Sequence, residues 1–350
     1  MVLSDRREFD AEVLLADPQT DLAVLKINPG NSKLPTLALT DSDRVEVGDL
    51  VLAIGNPFGV GQTVTSGIVS ATSRTQAGIS DYQFFIQTDA AINPGNSGGA
   101  LVGVDGKLIG VNTAIFSRSG GSIGIGFAIP ANMVQRVVDS ALNGKGVVRA
   151  WLGASGQPVT QDIAQSLGLE RPAGMLISNI YPGSPADEAG LHVGDVILKV
   201  DEWEVSDAPS LRYRIATGKI GQTAKLDVWR SNASIALLLP FKAAPEIPPR
   251  QLTLLKGPHP LNGVTIANLS PAYAEELGLH GGLIGVIIAE MLRNSPAARL
   301  GLAPGDIILA IGDEKIQTVD DVKRVMATPR DVWDLRIRRG EKVVQFRIGS

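Results

Sequence analysis

The amino-acid sequence predicts a mostly β protein of two or three domains, and three observations carry that prediction. Its 350 residues include 39 glycines and 21 prolines but only 19% charged residues, a composition of turns and short strands rather than long helices. Short apolar runs separated by turn residues recur up to residue 129, the pattern of a barrel or sandwich. A fifteen-residue motif returns in the second half at an offset of 111 residues, too far apart for a solenoid unit and suited to two tandem domains. With 44% hydrophobic residues, each domain has enough apolar mass for its own core.

Residues 9–27 read as two strands joined by Ala16-Asp17-Pro18-Gln19-Thr20, where Asp-Pro opens a turn. The second strand begins with Asp21, either a solvated strand end or the buried orienter of a catalytic histidine. Residues 45–54 form a strand closed by Gly55-Asn56-Pro57, and further strands follow at 64–71, 84–88, 108–114 and 125–129. A helix over 130–142, with Pro130 in its first turn and Gly144 past its end, closes this unit.

Within it, Thr88-Asp-Ala-Ala-Ile-Asn-Pro-Gly-Asn-Ser-Gly-Gly-Ala-Leu101 packs small residues around Ser97. A nucleophilic serine needs backbone N–H donors beside it and no bulk in the way of the attacked carbonyl, and Gly95 and Ser97 would supply those donors. Gly-x-Ser-Gly alone fits an ordinary hairpin turn equally well. Asp89 reads as a turn-holding carboxylate.

Four stretches then point one way: Asp17-Pro-Gln-Thr-Asp-Leu-Ala-Val-Leu25, Ala53-Ile-Gly-Asn-Pro-Phe-Gly59, Gln87-Thr-Asp-Ala-Ala-Ile-Asn-Pro-Gly-Asn-Ser-Gly-Gly-Ala-Leu101 and Gly124-Ile-Gly-Phe-Ala-Ile-Pro130. In order and content they resemble the HtrA (DegP/Do) family of envelope serine proteases. The resemblance implies a chymotrypsin-like (trypsin-like) double β-barrel with a Ser-His-Asp triad, no cofactor and no metal. By motif, Ser97 is its nucleophile, Asp21 its orienting carboxylate, and the Gly95 and Ser97 N–H groups its oxyanion hole. The family's histidine stands upstream of the Asp in a Thr-Asn-x-His turn. This chain has twenty residues before Asp21 and histidine only at 192, 259 and 280. A first barrel without its initial strands and a site without its general base are therefore expected, as in an N-terminally truncated protease. In trypsin-like enzymes a carboxylate six residues before the serine selects basic side chains. Here that position is Ala91, and with Ile92 and Phe116 it predicts a short apolar pocket for small aliphatic residues. Residues 73–81 and 117–122 read as polar, mobile loops. The first resembles the family's sensor loop, with Arg74 at the place of its arginine.

The repeat pairs Ser184-Pro-Ala-Asp-Glu-Ala-Gly-Leu-His-Val-Gly-Asp-Val-Ile-Leu198 with Ser295-Pro-Ala-Ala-Arg-Leu-Gly-Leu-Ala-Pro-Gly-Asp-Ile-Ile-Leu309. Ser-Pro-Ala starts a short helix, Gly190 and Gly301 end it, and Gly-Asp turns into a strand. Both copies resemble the PDZ fold, which adds a peptide as an extra strand and holds its carboxylate on loop N–H groups. That implies domains at 1–146, 147–243 and 244–350, with Lys242-Ala-Ala-Pro-Glu-Ile-Pro-Pro-Arg250 as linker. In the first copy Trp151, Leu152, Gly153 and Ala154 resemble the carboxylate loop. Leu211 and Ile215, four apart on one helix face, are either the groove's far wall or plain core. In the second, Leu261, Gly263 and Val264, with a helix over 319–326, match more loosely.

The formal net charge of −4, with no long basic run, excludes the footprint of nucleic-acid binding. Zero cysteines exclude disulfides, a thiol nucleophile and cysteine metal sites while leaving the compartment open. No apolar run reaches the ~20 residues of a membrane span, and the N-terminus has no signal-peptide pattern. By resemblance the expected protein is a periplasmic, ATP-independent serine endopeptidase of protein quality control, a homo-oligomer built on trimers in the full-length family. It would bind unfolded polypeptides and C-terminal peptides and cut after small aliphatic residues. The alternative is a catalytically silent peptide-binding scaffold or chaperone.

Overall fold

The computed structural model describes all residues except Ser4, 58–60, 76–83, 118–119, Lys145, 280–284, Glu341 and Ser350. The chain divides into two compact units, Met1–Ala243 and Ala244–Ser350.

In the first unit, β1 (Ala11–Asp17) and β2 (Leu22–Ile27) form an antiparallel two-stranded sheet. The strands β3 (Leu50–Gly55), β4 (Thr63–Arg74), β5 (Phe85–Thr88), β6 (Ala100–Gly103), β7 (Leu108–Ile115) and β8 (Gly126–Pro130) close a barrel in the order β3-β4-β5-β8-β7-β6. Closure removes the free sheet edges. The inside is filled by Val51, Ala53, Val69, Ile86, Ile92, Leu101, Ile109 and Ala128. The turn before β6 passes so close to β3 that it needs glycine: a Cβ on Gly99 would lie 2.0 Å from the Ile54 carbonyl oxygen. Helix α1 (Ala131–Asn143) follows, burying Met133, Val137 and Ala141, one face at four-residue spacing, and ends at the left-handed Gly144. Residues 73 and 74, read as loop, are instead the end of β4, which a register shift between Ala71 and Arg74 carries past the expected stop. Residues 76–81 and 118–119 of the two expected loops lie outside the described residues.

The first unit continues with β9 (Ala150–Trp151), β10 (Ala154–Pro158), α2 (Gln161–Ser166), β11 (Met175–Ile180), α3 (Pro185–Glu188), β12 (Val196–Val200), β13 (Trp203–Glu204), α4 (Ala208–Ala216), β14 (Thr223–Arg230), β15 (Ala233–Pro240) and β16 (Lys242–Ala243). The sheet runs β10-β11-β12-β14-β15, and β16 returns to pair with β9. The second unit repeats it: β17 (Thr253–Leu254), β18 (Val264–Asn268), α5 (Pro271–Glu276), β19 (Val286–Met291), α6 (Pro296–Arg299), β20 (Ile307–Ile311), β21 (Glu314–Lys315), α7 (Val319–Met326), β22 (Val332–Arg339) and β23 (Lys342–Gly349), in the sheet order β17-β18-β19-β20-β22-β23.

The repeated motif has a physical reason in both copies. Ser184 and Ser295 cap α3 and α6. The Gly-Asp carboxylates, Asp195 and Asp306, are buried, and each is gripped by two donors of an arginine from the last hairpin. Arg230 does so at 2.7 and 2.6 Å and Arg339 at the same distances, each also donating to the carbonyl of the glycine that ends the short helix. The carboxylates hold both guanidiniums above their ordinary pKa. A buried carboxylate met by a two-pronged donor fixes the hairpin against the turn.

Candidate active site and peptide grooves

The turn before β6 is held by its own backbone: Asn96 N–H donates to the Asn93 carbonyl (2.9 Å), Gly99 N–H to that of Asn96 (2.9 Å), and Gly98 N–H to that of Asn112 on β7 (2.8 Å). Asp89 accepts the Ile68 N–H at 2.7 Å, tying the end of β5 to β4. Gly95 has φ +103, a conformation that side chains rarely adopt. The N–H groups of Gly95 and Ser97 meet no acceptor among the described residues. Ser97 is exposed, and its Oγ donates to the Thr113 carbonyl at 2.7 Å.

Asp21 reaches the same residue from the other side. Its carboxylate accepts the Thr113 hydroxyl at 2.6 Å, from the turn between β1 and β2. Two buried side chains fix that turn, since the Asp17 carboxylate takes both the Thr20 hydroxyl and the Arg149 guanidinium. Arg149 also donates to Gln19 at 2.9 Å. Thr113, on an unremarkable stretch of β7, thus joins the serine and the carboxylate. Neither composition nor spacing singled it out.

The remaining expected residues are spread more widely. Ile92 is in the barrel core, Phe116 is 62% exposed, and Ala91 is half-buried with its carbonyl taken by Thr65 Oγ1 (2.9 Å). Arg74 closes β4, and its Nε donates to Gln87 on β5 (2.9 Å). His192 and His259 lie in the two repeated modules, and His280 is outside the described residues.

In the first of these modules, Leu152, Leu211 and Ile215 share one buried cluster. Gly153 sits at φ +74, its carbonyl accepting the Tyr181 N–H (2.7 Å), while its own N–H meets no acceptor among the described residues. Ala154 opens β10, at the end of the sheet, and no described strand pairs with the outer edge of β10. In the second module, Leu261 and Val264 are buried, and the Gly263 N–H donates to the Leu255 carbonyl at 2.9 Å.

Helix α4 faces two ways. Its inner face completes the groove module, whereas Tyr213 and Ala216 pack on Phe84, Phe85, Phe127, Ile129 and Met133 of the barrel and α1. The rings of Tyr213 and Phe84 stack at 3.9 Å and 11°. Burial pushes the Tyr213 phenol well above the ordinary tyrosine pKa. Arg214 pairs with Asp43 at 2.6 Å and lies over Trp203 (4.6 Å) and Phe84 (4.9 Å), beside a cleft of about 660 Å³. Sequence reading missed this second face.

Residues 1–111 match the model of the trypsin-like peptidase domain, and residues 143–238 and 287–339 match two PDZ-domain models. A probable periplasmic serine endoprotease, DegP-like, of Chlamydia muridarum is 41% identical over 348 residues, covering 99% of this chain and 68% of its own length. The chain belongs to the HtrA/DegP family of serine endoproteases. The periplasmic serine endoprotease DegP of Salmonella typhimurium is 38% identical over 343 residues, 98% of this chain and 69% of its own. Among solved structures, the HtrA-type protease AlgW with tripeptide matches at TM-score 0.55 and 50% identity over 70% of this chain and 80% of its own. AlgW with decapeptide matches at 0.53 and 50%, over 70% and 74%. A trypsin-like domain thus precedes two PDZ domains, and among the described residues no helix is long and apolar enough to cross a membrane.

Proposed function

We propose that residues 1–146 are the endopeptidase domain of a periplasmic quality-control protease, followed by PDZ domains at 147–243 and 244–350. It works on unfolded polypeptides, as a trimer, with no need of ATP, metal or cofactor. The observation that carries this reading is the convergence of Ser97 and Asp21 on Thr113 beside two N–H donors that meet no acceptor among the described residues. Ser97 is the nucleophile, Asp21 orients the histidine of a triad, and the Gly95 and Ser97 N–H groups stabilise the oxyanion. Ala91 and Phe116 line the small apolar specificity pocket, whereas Ile92 is buried in the barrel core and is no part of its surface. Arg74 is the sensor arginine, and the first PDZ domain takes C-terminal peptides between Trp151-Leu152-Gly153-Ala154 and the α4 face of Leu211 and Ile215.

A second reading concerns these 350 residues by themselves. Residues 1–191 contain no histidine, and the Ser97 hydroxyl gives its proton to a carbonyl that cannot remove it. Loss of the base from such a triad lowers kcat by roughly 10⁶-fold, so this chain alone binds peptide without cutting it. A fluorogenic peptide with valine before the scissile bond tests both, using the 350-residue chain and Ser97→Ala. The expected result is the same background rate from the two. Hydrolysis lost in Ser97→Ala would refute the silent reading and establish Ser97 as nucleophile with another base.

A further inference from the structure

The two PDZ domains differ at the place where a peptide would add. In the first, the outer edge of β10 is bare of any described strand and the Gly153 N–H meets no acceptor among the described residues. In the second, the matching edge of β18 already carries β17, antiparallel, with Thr253 opposite Ile266 and Leu254 opposite Thr265. The contacts go on past β17 at both ends. Leu255 N–H donates to the Val264 carbonyl (2.8 Å), and the Leu255 carbonyl accepts the Gly263 N–H (2.9 Å). That N–H belongs to the loop matching the one at Gly153, where the carboxylate of an added strand would sit.

The Leu255 side chain is buried in the cluster that contains Leu261, Val322, Val325 and Met326, so it fills the place of a ligand's last side chain against α7. At the other end, the Asn268 N–H donates to the Arg250 carbonyl (2.8 Å). The Asn268 amide donates to the Pro249 carbonyl (2.8 Å) and to Gln251 Oε1 (3.2 Å). Gln251 Nε2 crosses to Asp320 on α7 (2.8 Å), so it spans the groove from strand to helix. Arg250 is held by Glu276 at 2.6 and 3.1 Å and lies 4.1 Å over the Tyr273 ring. In the first domain the residue that ends β10, matching Asn268 at the end of β18, is Pro158. It has neither an N–H nor an amide with which to hold such a segment.

We propose that residues 250–255 of this chain are the resident ligand of its second PDZ domain, and that strand-adding peptides bind the first PDZ domain alone. This rests on the peptide-binding reading of the first domain. The tether decides the competition. A segment joined to its site by a short turn acts at an effective concentration on the order of millimolar. A free peptide at micromolar concentration is therefore outnumbered about a thousandfold.

Amide hydrogen exchange on the full chain, resolved to single residues, tests occupancy without any added peptide. The Gly263 and Asn268 amides are expected to exchange at least tenfold more slowly than the Gly153 amide. Equal rates would overturn the proposal. A titration with fluorescein-labelled Arg-Gln-Leu-Thr-Leu-Leu, the sequence of residues 250–255 ending in a free carboxylate, is expected to saturate at one per chain. Two per chain would overturn the proposal. None would refute peptide binding by the first domain, with occupancy of the second still decided by exchange. The chain has no cysteine, so the pair Leu254→Cys and Thr265→Cys provides a clean lock between facing positions of β17 and β18. Oxidised and reduced forms are expected to bind the same number of peptides, and a site gained on reduction would overturn the proposal.

Discussion

The two PDZ domains are built on one frame and differ in what covers its helix and its strand edge. Leu211 and Ile215 on α4 correspond to Val322 and Met326 on α7, and all four are buried. The Asp195–Arg230 and Asp306–Arg339 grips match atom for atom. The outer faces of the same two helices part company. Where α4 presents Tyr213 to the barrel, α7 has Arg324, exposed and paired with Glu314 and Asp321. The first domain is docked through its helix and open at its strand edge, while the second carries a charged helix and a filled edge. The repeated motif therefore specifies the frame, and residues outside the motif specify how the helix face and strand edge of each copy differ.

Removing the docking ring should break the comparison most strongly. Tyr213→Ala deletes a fully buried aromatic and is expected to cost roughly 3–5 kcal/mol, read as a fall in the urea midpoint of the first unit. Tyr213→Phe keeps the ring and the stack on Phe84 and is expected to stay within about 1 kcal/mol. A loss as large for Phe as for Ala would assign the docking to the hydroxyl instead.

The shared frame predicts similar penalties in both copies. Arg230→Ala leaves the buried Asp195 carboxylate without its cation, and about 3 kcal/mol is expected, the low end for a broken buried pair. Arg339→Ala should act in the same direction but less, because half of the Arg339 side chain is exposed and solvent replaces part of what is lost. Chemical denaturation of each variant checks this. A neutral Arg230→Ala would mean the grip is not what fixes the hairpin.

How much of this was legible in the chain follows from how local each feature is. The frame was legible because capping serines, glycine stops and Gly-Asp turns are local devices that the motif spells out, whereas the arginines that grip the buried aspartates stand 35 and 33 residues away. The serine turn was legible for the same reason, as a run of small residues. Thr113 was not, since it stands 92 residues from Asp21 in sequence and a lone threonine in a strand carries no pattern. Nor was β17: two paired residues after a proline-rich linker have too short a period to read, and what holds them is Asn268 and Gln251, each ordinary by itself. The second face of α4 was not legible either, since on so short a helix Tyr213 and Arg214 lie between Leu211 and Ile215 and show no separate period.

A smaller effect is expected from Gln251→Ala, which removes the bridge from β18 to α7. The loss should be about 1 kcal/mol, appearing as faster exchange of the Asn268 amide while Gly153 stays unchanged. If Asn268 keeps its protection, the segment is held by Leu255 and the backbone alone.

The finest distinction is in pH. His259 lies in the turn between β17 and β18, half-buried, and burial holds its pKa below the ordinary 6.5, outweighing the backbone hydrogen bonds that favour the charged ring. A histidine depressed on folding contributes stability that is whole above 6.5 and is lost as pH falls through the lower folded value, because the unfolded chain takes up the proton first. The second PDZ domain should therefore weaken on acidification from pH 7 toward 5 by more than His259→Gln does, and Gly263 exchange, corrected for its intrinsic pH dependence, should quicken with it. His192, in the first domain, sits in a turn whose N–H is held by Asp195 rather than in a groove-closing hairpin. Acid should thus loosen the hairpin that carries His259, and a quickening of Gly263 exchange that persists undiminished in His259→Gln would place the titrating group elsewhere.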